Sequence, residues 1–265
     1  MNTVAVSNQS LEKVAVLSSE VSTGKFEEVL NHIVALSEKK RSSYICFANV
    51  HMIVEAFANQ RFQQVINQAD VVATDGLPLT KYLLLFEGIN QDRVAGPDLF
   101  PELLSKAEKL GKSVYFYGNT PEVLEQMRSK AVSEYPKLKI AGVFSPPFRS
   151  LTAEEDEEIV NMINATKADF VFVSLGCPKQ EQWMHDHCGR IRSCMLGVGQ
   201  AFNTYAGTEK RAPLWMQRSG LEWFYRLYRE PNRLAKRYLY TNAFFLYLVS
   251  RLYFRKLRNK ELLPV

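Results

Sequence analysis

Short runs of β-branched and aromatic residues alternate along this chain with longer segments in which apolar residues recur every three or four positions. The short runs predict strands at residues 14–17, 44–48, 71–73, 114–117, 139–144, 170–175 and 193–196. The longer segments predict helices, the first capped by Ser22 or Thr23 and a later one running from Pro101 to Leu110. This alternation predicts an α/β fold with a Rossmann-like, open, largely parallel sheet and helices on both faces.

The character of the sequence changes at Gly207, beyond which the segments are helical and rich in arginine and aromatic residues. We expect residues 1–207 to form the α/β catalytic domain and residues 208–265 to form a basic helical appendage. Residues 210–260 hold 13 Lys/Arg against 2 Glu, while the whole chain carries +5, so the remainder is acidic. A basic tail on an acidic body predicts an anionic partner, such as lipid head groups, a diphosphate or nucleic acid.

The 265 residues are enough for one substantial core. The four cysteines form no CxxC pair and are expected to be reduced thiols of a cytosolic protein. The first residues lack the basic-then-apolar pattern of a signal peptide. We therefore expect a cytoplasmic location.

Asp75 follows the apolar run 71–73 in an Asp-Gly turn, and Pro78 suits the first turn of the next helix. It is therefore expected where a strand ends and a helix begins, at the edge where open α/β sheets bind ligands. A half-buried carboxylate there suits a general base. For an isolated Asp-Gly pair, a role as a cap or turn residue would be the better interpretation.

Other polar positions also fall at predicted strand ends. Asn49 suits an N-cap as well as a ligand contact, and Arg93 suits a phosphate contact as well as an ion pair with Asp92 or a neighbour. Gly118 lies at a strand–helix junction that can offer backbone N–H groups to an anion, and Gln180 lies at a helix start. Cys177 has no histidine partner that the sequence fixes, and His185, His187 and Cys188 lack metal-ligand spacing.

Arginines 226, 229, 233 and 237 recur every three or four residues in the tail, which predicts that they share one face. The apolar residues around them are interrupted too often to span a bilayer, whereas interleaved cations and aromatics favour a helix lying in the membrane interface. The alternative is that the tail packs on its own domain or on a sister subunit of a homo-oligomer.

Six motifs occur in order between residues 74 and 233: TDGLPL (74–79), RVAGPDL (93–99), GCPKQEQW (176–183), RAPLW (211–215), GLEWFYRL (220–227) and EPNR (230–233). Together they closely resemble the WecG/TagA/CpsF family of bacterial glycosyltransferases, over about residues 14–238. Phe47 stands where many relatives have a threonine, and Lys236 where some have an arginine.

The resemblance implies an enzyme on the inner face of the cell membrane that moves a sugar from a UDP-sugar donor to a polyprenyl-diphosphate-linked saccharide. It implies that Asp75 is the catalytic base and that the C-terminal arginines complete the site. The expected substrate-binding residues are Asn49, Gly76, Arg93, Asp98, Gly118, Gln180, Gln200, Arg226 and Arg233.

An inverting transfer needs a base for the acceptor hydroxyl and positive charge for the departing nucleoside diphosphate. No Asp-x-Asp pair is present to chelate a bridging divalent ion, so we expect metal-independent catalysis without a cofactor. A dehydrogenase would need the GxGxxG fingerprint that is missing here. A non-enzymatic membrane- or anion-binding protein is the remaining alternative, and no RNA-binding motif supports a nucleic-acid partner.

Overall fold

A computed structural model describes residues 10–260, with side chains through residue 258. The expectation about a signal peptide concerns the first residues and lies outside this range, as do residues 261–265 of the tail. All four cysteines lie inside the range and are free thiols.

Six parallel strands form the central sheet, and two further strands form an antiparallel hairpin beside it. The strands are β1 (Lys13–Val16), β2 (Ser19–Ser22), β3 (Ser43–Ala48), β4 (Val71–Thr74), β5 (Ser113–Gly118), β6 (Lys139–Phe144), β7 (Phe170–Ser174) and β8 (Cys194–Gly197). The order in the sheet is β4-β3-β8-β7-β5-β6, and every pairing is parallel. The predicted α/β fold with a parallel sheet is confirmed.

Twelve helices complete the described part of the chain. They are α1 (Phe26–Glu38), α2 (Val50–Ala58), α3 (Gln60–Asn67), α4 (Leu77–Glu87), α5 (Gly96–Lys109), α6 (Pro121–Glu134), α7 (Ala153–Thr166), α8 (Lys179–Asp186), α9 (Ala201–Ala206), α10 (Leu214–Ser219), α11 (Glu222–Arg229) and α12 (Pro231–Lys260). Helices α1, α5, α6 and α9 cover one face of the sheet, and α2, α3, α4, α7 and α8 cover the other. Both faces of the sheet are therefore buried, as parallel strands require.

The carboxyl ends of the strands meet at one edge of the sheet, because all six run in the same direction. Backbone hydrogen bonds hold the segments that follow them: the N–H of Asp75 donates to Ala48 O at 2.8 Å, and that of Asn119 donates to Ser174 O at 2.9 Å. The six chain segments that leave the sheet therefore start at the same edge. This edge is where the topology places ligand-binding residues.

The amino-terminal part differs from the prediction. The predicted first strand exists, but it pairs antiparallel with β2 outside the main sheet. Ser22 and Thr23 do not cap α1, because Ser22 ends β2 and its hydroxyl accepts the Val72 N–H at 3.0 Å. Helix α1 begins at Phe26, and Lys25 is its N-cap.

The helix predicted from Pro101 begins earlier than expected. Helix α5 starts at Gly96, with Pro97 in its first turn, where the missing N–H of a proline costs no helical hydrogen bond. Pro101 therefore lies inside the helix. Residues 96–99, which precede the predicted helix, are already helical, and Asp98 belongs to the first turn.

The helices after Gly207 return over the body of the protein. Phe245 and Leu248 of α12 are buried, and Phe244 makes an edge-to-face contact with Phe57 of α2. Farther along, Lys256 Nζ donates to Phe86 O at 3.0 Å. One face of α12 thus packs on its own domain, as one of the two interpretations of the tail expected.

The other side of this carboxyl-terminal region is exposed and apolar. Among its large side chains Tyr228, Leu239 and Phe254 are 79%, 78% and 67% exposed. No helix among residues 10–260 combines the length and hydropathy needed to cross a bilayer.

Gly118 has a φ of +102°, and a Cβ at this position would overlap the Ser174 carbonyl group, whose carbon would lie 2.7 Å away. Gly118→Ala is expected to destabilise the fold by about 2 kcal/mol or more, since the clash with β7 adds to the backbone strain. Urea unfolding followed by circular dichroism measures this change.

Gly88→Ala is the matched control, because Gly88 also has a positive φ, of +69°, but faces open space. It should cost only about 1 kcal/mol of backbone strain. Equal losses in the two variants would show that the contact with β7 is unimportant.

Candidate active site

A cleft of about 1590 Å³ opens at the carboxyl edge of the sheet, between the strand ends and the carboxyl-terminal helices. Eight of the ten predicted site residues line it: Asn49, Asp75, Gly76, Arg93, Gln180, Gln200, Arg226 and Arg233. These residues come from segments more than 180 positions apart in the sequence. The two remaining residues, Asp98 and Gly118, are not among the lining residues.

Asp75 is half-buried at the end of β4, with its backbone N–H fixed on Ala48. Burial raises the pKa of Asp75 to about 7. The nearby charges also act on this pKa: Arg93 lowers it most strongly, and Glu222 raises it. Arg226 lowers it and Asp98 raises it, both more weakly. A carboxyl group with a pKa close to neutral can accept a proton and release it again.

Asn49 lies next to this carboxylate and serves as the N-cap of α2. Its Oδ1 accepts the N–H of Met52 at 3.1 Å, so the capping role is present. The residue also lines the cleft, where Gly76 approaches it closely: a Cβ on Gly76 would lie 3.6 Å from Asn49 Cα. Capping and ligand contact are therefore compatible, because the cap uses only the amide oxygen.

Arg93 has partners other than the expected Asp92. Its guanidinium donates to Glu222 Oε2 at 2.9 Å and to Asp98 Oδ2 at 2.8 Å. Asp92 instead accepts the N–H of Phe26 at 3.1 Å and pairs with Lys25. Arg93 is therefore anchored by α5 and α11 while it lines the cleft.

Gln180 is almost fully buried, and its amide is occupied within the protein. Nε2 donates to Gly197 O and to Glu181 Oε1, both at 2.7 Å, and Oε1 accepts the N–H of Gly176 at 3.2 Å. Gln180 thus ties α8 to β8 and shapes the floor of the cleft. Glu181 beside it is fully buried, and burial raises its pKa to about 7.

Gly118 and Asp98 have different places from those expected. Gly118 packs against the backbone of Ser174 inside the sheet, behind the cleft-lining Asn119. Asp98 bonds Arg93 and Arg211 beside the cleft. Both residues therefore lie beside or behind the cleft-lining residues, and their expected contact with substrate stays a prediction.

The arginines of the carboxyl-terminal helices do not share one face of a single helix, because the chain breaks at Glu230 between α11 and α12. Arg226, Arg233 and Arg237 nevertheless all line the cleft. The Nε atoms of Arg226 and Arg237 are buried, and no residue within 10–260 accepts a hydrogen bond from either. Buried charged donors without an acceptor are costly unless an anion binds them.

His51 also lines the cleft, although no role was predicted for it from the sequence. Burial and, secondly, Arg237 lower its pKa to about 4, so the imidazole is neutral at physiological pH. Its Nδ1 lies 3.7 Å from Glu55 Oε1, beyond hydrogen-bond distance. No role was predicted for Arg211, Glu222 or Arg237 either. The first two lie in the motifs 211–215 and 220–227, which carry the family resemblance.

No three His, Cys, Asp or Glu side chains in the described part of the chain approach closely enough to hold a metal ion together. The positive charge that the cleft offers to an anion comes from its arginines together with Lys179 and Lys210.

A carboxylate and arginines at the carboxyl edge of an open α/β sheet lie where folds of this class bind their ligands. The model of the Glycosyl transferase WecG/TagA/CpsF family matches residues 14–259, and the chain belongs to this family. It is therefore a glycosyltransferase, which sets aside the non-enzymatic alternative.

Relatives in three organisms carry the name N-acetylglucosaminyldiphosphoundecaprenol N-acetyl-beta-D-mannosaminyltransferase. Those from Bacillus spizizenii and Bacillus subtilis (strain 168) are each 33% identical over 74% of this chain and 75% of their own length. The relative from Staphylococcus aureus (strain MW2) is 29% identical over 81% of this chain and 82% of its own.

The raised pKa of Asp75 predicts a pH-dependent gain in stability for Asp75→Asn. Burial raises this pKa from 3.8 to about 7, so the folded protein binds the proton more tightly than the unfolded chain does. Ionisation therefore costs stability, fully above pH 7 and not at all below pH 4. Urea unfolding should show Asp75→Asn more stable by about 1–3 kcal/mol at pH 8 and unchanged near pH 4.

Glu27→Gln, at an exposed carboxylate paired with Lys106, should change stability by less than about 0.5 kcal/mol at either pH. A gain from Asp75→Asn of the same size at both pH values would contradict the burial argument.

Proposed function

We propose that this protein is an inverting glycosyltransferase that moves a hexose or N-acetylhexosamine-type sugar from a UDP-sugar to a polyprenyl-diphosphate-linked saccharide. N-acetylmannosamine, its uronic acid and glucose are candidate sugars. The product would enter a cell-surface polysaccharide such as exopolysaccharide, capsule, teichoic acid or common antigen. The names of the relatives, which specify a diphosphoundecaprenol-linked acceptor, support this acceptor class.

The observation that carries the proposal is one carboxylate beside several cations in a single cleft. Asp75 lies at the strand end with a pKa near 7, and Arg93, Arg226 and Arg237 line the same space. A base close to donors for a leaving diphosphate is what an inverting sugar transfer requires.

In the proposed step, the acceptor hydroxyl oxygen attacks the anomeric carbon of the donor sugar from the face opposite the UDP group. The new C–O bond forms while the bond from the anomeric carbon to the diphosphate oxygen breaks. Asp75 takes the hydroxyl proton, and the electron pair of the broken bond leaves on the diphosphate. The proton passes to Asp75 and every bond breaks heterolytically, so the step balances without a redox partner.

The leaving diphosphate gains negative charge as the bond breaks. The unpartnered Nε atoms of Arg226 and Arg237 can donate to it, with Arg233 contributing charge at the same wall. Charge-assisted hydrogen bonds of this kind are stronger than neutral ones. The proposal therefore assigns to arginine the role that a divalent cation has in other transferases, and transfer would not depend on a metal.

The acceptor's lipid anchor implies that the enzyme works at the inner surface of the cell membrane as a peripheral protein. The exposed side chains of Tyr228, Leu239 and Phe254 supply apolar contact, and Arg251 and Arg255 supply charge for anionic head groups. Such a combination favours an interfacial position. The cleft is lined in part by α12 itself, so docking would bring the lipid-linked hydroxyl close to it.

Asp75→Asn tests the proposed base. Transfer from a panel of UDP-sugars to a short-chain polyprenyl-diphosphate acceptor should fall by about 10²-fold or more, since general-base catalysis contributes that much. Binding of UDP, measured by calorimetry, should persist. In the unsubstituted enzyme kcat/KM should rise towards a plateau through about pH 7, because only the ionised carboxylate accepts the proton.

Asp70→Asn is the control, because Asp70 lies just before the opposite end of β4, where it accepts the Tyr44 N–H at 3.0 Å. An asparagine oxygen can still accept that bond, so transfer should stay within a few-fold. Undiminished turnover in Asp75→Asn would remove Asp75 from the chemistry.

Leu239→Gln combined with Phe254→Gln tests the membrane surface. Flotation with anionic phospholipid vesicles should recover several-fold less of this variant, because two exposed apolar anchors are lost. The control is Leu110→Gln, which removes an apolar side chain that is 53% exposed, at the end of α5 and outside the carboxyl-terminal helices. An equal loss of binding in both variants would argue against an oriented membrane surface.

A further inference from the structure

Four charged side chains form a closed ring beside the cleft, which we call the ion ring: Arg93, Asp98, Arg211 and Glu222. Arg93 donates to both carboxylates, at 2.8 and 2.9 Å. Arg211 also donates to both, reaching Glu222 Oε1 at 3.1 Å and Asp98 Oδ2 at 3.0 Å. Each side chain of the ring therefore touches two members of opposite charge.

The ion ring joins the α/β domain to the helices that follow it. Arg93 is held close to the end of β4, because the next residue, Val94, donates its N–H to Thr74 O at 2.8 Å. Asp98 belongs to the first turn of α5. Arg211 precedes α10, and Glu222 is the first residue of α11. Helix α11 is thereby tied to the strand end that carries Asp75.

The ring is also balanced in charge. Two guanidinium groups face two carboxylates, and both carboxylates stand in the first turn of a helix, where the helix dipole favours negative charge. Arg93, Arg211 and Glu222 are mostly buried, with side chains 16%, 20% and 23% exposed. Removal of one member would leave a charge beside the cleft that water screens poorly.

We propose that Glu222 is a positioning residue that, through the ion ring, holds α11 over the strand end and keeps the charge around Asp75 balanced. The inference rests on the proposed function, because it assigns Asp75 the role of base. The carboxylates of the ring would have a role that arginines alone could not have, namely to offset positive charge close to Asp75. Extra uncompensated arginine charge would bind a diphosphate better but would make the neighbouring carboxylate a weaker base.

The charged groups that act on Asp75 come from three elements. Arg93 lies in the segment between α4 and α5, Asp98 in α5, and Glu222 and Arg226 in α11. The two acidic groups raise its pKa and the two arginines lower it, while burial has the largest effect and raises it. Loss of Glu222 should thus lower this pKa, and loss of Arg211 should raise it by leaving Asp98 and Glu222 uncompensated.

Three variants separate charge from contact: Glu222→Gln, Arg211→Gln and the double variant. The first should move the acidic limb of the kcat/KM profile down by about half a pH unit or more, and the second should move it up by a similar amount. The double variant breaks the same contacts but restores neutrality, so its limb should return close to that of the unsubstituted enzyme. Glu27→Gln, at a surface ion pair, is the control and should not shift the limb.

A purely structural ring would give single variants that lose activity without shifts of opposite sign, and that result would overturn the proposal. The pKa of Asp75 is also measured directly by carbon-13 NMR of the carboxyl groups, assigned by comparison with Asp75→Asn. This second measurement needs no turnover and applies to any variant that stays folded. If the variants shift the pKa in opposite directions but the unsubstituted enzyme transfers no sugar, the role of the ring is supported and the proposed function is refuted. If the enzyme transfers sugar but the variants do not shift the pKa in opposite directions, the proposed function is supported and the role of the ring is refuted.

Discussion

The burial of one carboxyl group at the end of β4 is the constraint on which the site depends. Water is partly excluded from Asp75, and this raises its pKa to about 7. The same exclusion of water strengthens the electrostatic interactions among the nearby charges, because the local dielectric constant is low. A site that must bind an anion and keep a basic carboxylate therefore needs opposing charges in nearly equal number. Asp98 and Glu222 supply the negative charges that balance Arg93 and Arg211.

The carboxyl-terminal helices belong to this arrangement as much as the sheet does. Phe245 of α12 is part of the core cluster that covers one face of the sheet, while Arg237 and Thr241 of the same helix line the cleft. The apolar packing of α12 on the sheet domain thus sets the position of the charged groups that the same helix presents to the cleft. A helix that docks by burying phenylalanine and leucine can hold guanidinium groups in place at little cost in side-chain entropy.

Local patterns in the sequence were sufficient for the strand ends but not for the partners across the fold. The place of Asp75 follows from an apolar run, an Asp-Gly turn and a proline within eight residues, so nearby residues alone specify it. For Arg93 the sequence left open a phosphate contact or an ion pair with Asp92 or a neighbour, whereas one of its partners, Glu222, is 129 positions away. Only the docking of α11 creates that contact, and no local pattern encodes it. The start of α5 was missed because Gly96 and Pro97 usually indicate a loop, yet both are tolerated in a first helical turn.

The hydrogen bonds of the cleft-lining side chains divide them into two groups. Gln180 has its amide occupied by Gly176, Glu181 and Gly197, so it fixes the shape of the cleft and has little capacity left for a ligand. Arg226 and Arg237 keep buried Nε donors for which residues 10–260 supply no acceptor. Because an unsatisfied buried donor costs about 1–3 kcal/mol, a fold retains such groups where a ligand satisfies them. The unsatisfied donors therefore support the proposed anion-binding wall of the cleft more directly than the motif that contains Gln180 does.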